Sequence, residues 1–71
     1  MKKEIVKALE DKYHAEISVA NATLKIYLEK AVGIGEHPQI IEECDKLILK
    51  IAEAEGKLQT LQEYKVWWKT D

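Results

Sequence analysis

The stretch Val32-Gly33-Ile34-Gly35-Glu36-His37-Pro38, near the middle of the 71 residues, is the only place where glycine and proline cluster. Long runs with helical spacing flank it on both sides. Gly33 can adopt the left-handed backbone that closes a helix, with Ile34 folding back over the last turn as in a Schellman cap. Pro38 suits the first position of a following helix, where its missing N–H would have had no intrahelical partner and its φ is already helical. The stretch therefore predicts a turn over 32–37 between a helix at about 2–31 and another at about 38–68, in a single domain covering 1–71.

Upstream of the turn, neither proline nor glycine occurs as far back as Lys3, and apolar residues recur three and four apart. The seam Val6, Leu9, Tyr13, Ile17, Ala20, Leu24, Tyr27 and Ala31 has the spacing of a helix that faces another helix. A second line, Ala8, Ala15, Val19, Ala22 and Ile26, runs beside it. Downstream, Ile40, Cys44, Leu47, Ile51, Ala54, Leu58, Leu61, Lys65 and Trp68 step by four and three, with Lys65 the only polar residue in register. Ile41, Ile48 and Ala52 add a second line there too. Gly56 interrupts this helix at a cost of about 1 kcal/mol relative to alanine, suggesting a close helix approach or a slight bend. Lys12–Glu16, Lys25–Glu29, Glu42–Lys46 and Glu53–Lys57 are spaced as i,i+4 ion pairs, each contributing about 0.2–0.5 kcal/mol.

Two helices of about thirty residues joined by a short turn must lie side by side and antiparallel. The fold class is all-α, a coiled-coil-like hairpin. One hairpin has one shared face, so the second lines would lie in water. This predicts self-association through Ala15, Val19, Ala22, Ile26, Ile41, Ile48 and Ala52, most simply as a two-fold dimer forming a four-helix bundle.

Composition narrows the function classes. The chain is 46% hydrophobic and 34% charged, with a net charge of −2, so it lacks the overall basic field that drives nonspecific nucleic-acid binding. Every basic residue is lysine, and the bidentate chemistry of arginine is missing. A single cysteine, Cys44, cannot form an internal disulfide and reads as a seam thiol in a reducing compartment. Met1-Lys2-Lys3-Glu4 leads into an amphipathic run, and no stretch approaches the roughly 20 apolar residues of a membrane span. The expected location is cytoplasmic.

Catalytic and cofactor chemistry finds little footing. His14, His37 and Cys44 lack the spacing of metal ligands, Glu42 and Glu43 diverge by about 100° around a helix, and Cys44 lies about two turns from His37. Gly33-x-Gly35 follows a helix rather than a strand and lacks the rest of a phosphate loop. No catalytic residue, metal site or cofactor is expected. The open end of the hairpin is different in character: Lys3, Lys7, Lys65 and Lys69 gather there with Trp67, which cannot share the seam fully with its neighbour Trp68.

Tyr13-His14-Ala15-Glu16, taken with the Val32–Pro38 turn, resembles small uncharacterised helical-hairpin proteins of T4-type and marine bacteriophages, including the kind that accompanies the phage recombination helicase UvsW. The resemblance extends to about Gln62. It implies a phage accessory protein without enzyme activity, working in the host cytoplasm near DNA or a host factor, and it carries over no site residues. Two functions are thus expected to compete. The first is a non-enzymatic interaction module that binds a protein partner through its helical surfaces. The second is a weak binder of single-stranded nucleic acid at Trp67 and the surrounding lysines, where a stacked base would contribute about 1–3 kcal/mol.

Overall fold

The structure, a computed structural model, describes residues 1–34 and 39–70 and, within them, the side chains of 1–30 and 39–66. Two helices account for it: α1, Lys2–Ile34, and α2, Gln39–Thr70. No strand occurs among the described residues. At 1.5 Å per residue, helices of this length are about 50 Å long, and the molecule is a rod measuring 56 × 15 × 13 Å. The pairing is antiparallel, because positions on α2 fall as those on α1 rise: Glu10 meets Lys65 and Tyr13 meets Lys57.

The seam is where the helical spacing put it. Ala20, Ala54 and Leu61 are buried. Val6, Leu9, Tyr13, Ile17, Leu24 and Tyr27 of α1 are half-buried, as are Ile40, Cys44, Leu47, Ile51, Leu58 and Lys65 of α2. The two most buried residues are alanines for a geometric reason. Between only two helices, a side chain is fully covered only where it is short enough to stay on the line joining the axes; longer ones reach past the edge of the contact. Ala31 and Trp68 lie outside the described side chains.

Two expectations at glycines are corrected. α1 continues through Gly33 to Ile34, and no described residue has a positive φ, so the left-handed closure expected at Gly33 does not occur. A glycine ends a helix only where the chain actually turns, and the amides of 33 and 34 still have carbonyls one turn behind them. The rest of the expected turn, including His37 and Pro38, lies outside the described residues. Gly56 lies inside an unbroken α2, and a Cβ added there would meet nothing within 4 Å. Close helix approach is therefore not its role.

The expected ion-pair ladder is also rearranged. Among the described residues, Lys46 pairs with Glu43 at 3.5 Å rather than with Glu42, and neither Lys12–Glu16 nor Lys25–Glu29 closes. Lys57 lies 5.5 Å from the Tyr13 ring centroid instead of on Glu53. A cation over an aromatic face across the hairpin competes well with an exposed pair along one helix, which contributes little. Among the described residues the pairs that form are Met1 N–Glu4, Lys7–Asp11, Glu43–Lys46 and, across the hairpin, Lys65–Glu10.

Candidate interaction faces

The seam leaves two flanks, and they differ. On one flank a groove of about 430 Å³ runs between the helices. It is lined by the apolar Ala15, Val19, Ala20, Leu47 and Ala54, with the charged Lys12 and Glu16 of α1 and Lys50, Glu53 and Lys57 of α2 along its rim. A shallower depression of about 480 Å³, lined by Tyr13, Gly56, Lys57, Thr60, Leu61 and Tyr64 among others, shares Glu53 and Lys57 with it and continues towards the chain ends.

Ala15 and Val19, two of the five residues of the second line predicted on α1, therefore share a face with Lys50, Glu53 and Lys57. At about 100° per residue, Ile48 points roughly 160–180° away from Lys50 and Lys57. Ile41 and Ile48 accordingly lie on the other flank of the hairpin. The two apolar lines do not share a face, and one flat contact between two copies cannot bury both.

Each line is exposed in the single chain. Val19 is 66% exposed, Ile26 53%, Ile41 77% and Ile48 54%; Ala15, Ala22 and Ala52 are exposed as well. Sequence reading missed Ile5, Leu28 and Leu49, which are exposed to a similar degree. The signal for Ile5 was present, since it continues the α1 line one step before Ala8, but Lys12 interrupts that line and disguises its length. The exposed surface is 5793 Å². A compact monomer of 8.2 kDa would expose about 4,500 Å², so the rod leaves over 1,000 Å² uncovered relative to a globule of its mass.

At the open end, Lys65 Nζ donates to Glu10 Oε2 at 3.1 Å, with both side chains about three-quarters buried. Lys65 thus fills its polar place in the seam by pairing across it. Lys7 donates to Asp11 at 2.7 Å in an exposed i,i+4 pair, and this hydrogen bond holds the ammonium above its ordinary range. Lys3 is exposed, while the side chains of Trp67 and Lys69 lie outside those described.

Among the described residues, no group of three or more His, Cys, Asp and Glu is placed to hold a metal ion. Nor is any described helix long and apolar enough to cross a membrane. His14 is exposed and Cys44 half-buried in the seam, on opposite helices. Comparison with models of protein families, with curated proteins and with solved structures finds no match to this chain.

Proposed function

We propose that this protein is a non-enzymatic interaction module, a helical hairpin that self-associates and binds a protein partner through the apolar lines on its two faces. The observation that supports it is the set of branched side chains Val19, Ile26, Ile41 and Ile48, all more than half exposed, beside a seam in which, among the described residues, only Ala20, Ala54 and Leu61 are buried. Exposed apolar surface in continuous stripes marks binding faces. A core this thin offsets little of the roughly 1–2 kcal/mol per residue that ordering the backbone costs. The accessory role implied by the resemblance to phage hairpin proteins is of the same kind.

The single-stranded nucleic-acid reading has less support. Two of its four lysines, Lys65 and Lys7, already hold carboxylates. A phosphate would have to displace those partners. Sedimentation equilibrium tests the preferred reading: a stable folded monomer at micromolar concentration would refute it. Titration with an oligonucleotide at about 50 mM salt, where phosphate contacts are strongest, is expected to leave tryptophan fluorescence unchanged.

A further inference from the structure

We infer that the occupant of the α1 face is a second copy of this chain, with α1 lying antiparallel on the partner's α1 and each residue i of its exposed stripe facing the partner's stripe residue 34 − i. This rests on the proposal that the hairpin self-associates, and it specifies the face and the direction.

The reasoning starts from the spacing. Ile5, Ala8, Lys12, Ala15, Val19, Ala22 and Ile26 step by three and four along α1, and each is exposed. In antiparallel helices, residues from successive steps of such a stripe oppose one another. Centring the two-fold axis at residue 17 places Ala8 against the partner's Ile26 and Ala15 against the partner's Val19, then each again by symmetry. A small side chain thus faces a branched one in four layers, the size alternation that a filled interface needs. Lys12 faces the partner's Ala22, whose small side chain lets its methylene stem lie flat while the ammonium reaches water. A parallel pair would instead stack alanine on alanine and leave gaps.

The charges agree with the same register. Edge residues flank the stripe layers and are offset from them: away from α2, Asp11 and the partner's Lys25 stand two residues, about 3 Å, from level with each other, twice by symmetry, and Ser18 and its own copy straddle the axis with the same offset. On the edge towards α2, Glu16 meets its own copy, but in a groove whose rim holds three lysines, Lys12, Lys50 and Lys57, against two carboxylates, Glu16 and Glu53. Two such rims meet there, six lysines against four carboxylates with both Glu16 counted, so the like-charge contact is made in a net positive setting. The centre also falls almost at the midpoint of α1, Lys2–Ile34, so two rods 56 Å long overlap along nearly their whole length. The excess exposure of over 1,000 Å² per chain exceeds the about 800 Å² that each partner contributes to a standard interface.

Cysteine cross-linking of the full chain, in a Cys44→Ser background, tests face and direction together. Ser18→Cys should form a disulfide-linked dimer on mild oxidation. Ala8→Cys alone should not, whereas Ala8→Cys mixed with Ile26→Cys should link one of each. Val19→Glu should raise the dimer dissociation constant roughly 100-fold by burying an unpaired charge. Ala8→Cys linking to itself would mean a parallel pair and overturn the inference. So would a dimer that survives Val19→Glu but dissociates in Ile48→Lys, because the contact would then lie on the α2 face while self-association still held. A wild-type chain that is monomeric throughout would defeat both the inference and the proposal beneath it.

Discussion

Lys65 occupies a seam position that every other α2 residue of that register fills with an apolar or small side chain, and Glu10 completes it from across the hairpin. Partly desolvated pairs of this kind couple more strongly than exposed ones but must offset their own desolvation. A double-mutant cycle on Glu10→Ala and Lys65→Ala should give about 0.5–1 kcal/mol of coupling by chemical denaturation. Replacing both residues with leucine should leave stability equal or higher, since the neighbouring Leu9 and Leu61 already make the site apolar. The exposed Lys7–Asp11 pair behaves differently. A raised folded-state pKa contributes at neutral pH and is lost as pH rises through it, so any fraying of the first turns of α1 should appear by NMR only above the ordinary lysine range. Gly56→Ala should raise stability by about 1 kcal/mol, read as a higher melting temperature, because the added methyl meets nothing and the helix loses a flexible residue. The sequence showed Lys65 as an exception but not its mate: Glu10 lies one residue off the seam, and no spacing rule along one helix reports a partner on the other.

At the level of the elements, α1 and α2 were legible because two independent signals agree, the three-and-four spacing of apolar residues and the break between them. Their ends were less so. A glycine licenses a turn without requiring one, and α1 runs on through Gly33. The lateral pairing of charges was the least legible feature, because several lysines have carboxylates at both three and four residues and others have a ring or a carboxylate across the hairpin. Ala20 and Ala54 are each only 2% exposed and lie at the most closely covered part of the contact. Enlarging either to leucine should cost about 1–3 kcal/mol through overpacking, measured by urea denaturation. Leu61→Ala should cost at least about 2 kcal/mol, because among the described residues it removes the one large side chain that the hairpin buries by itself.

For the whole molecule, the sequence disclosed that there are two apolar lines too many but not that they point apart. That requires the sense of rotation of both helices once they are antiparallel, and the groove containing Val19 and Lys50 supplies it. A chain whose folding is linked to assembly should melt at a temperature that rises with protein concentration, and calorimetry over a hundredfold dilution should show it. The placement of the lines on opposite flanks has a consequence for valency. When two copies close over their α1 faces, the two Ile41–Ile48 patches point outward on opposite sides of the assembly. On the proposed reading such a particle would carry two identical binding faces, so it would bridge two molecules of a partner rather than grip one molecule twice. Its effect would then peak at a matched ratio of hairpin to partner and decline when hairpin is in excess, as cross-links give way to singly occupied particles.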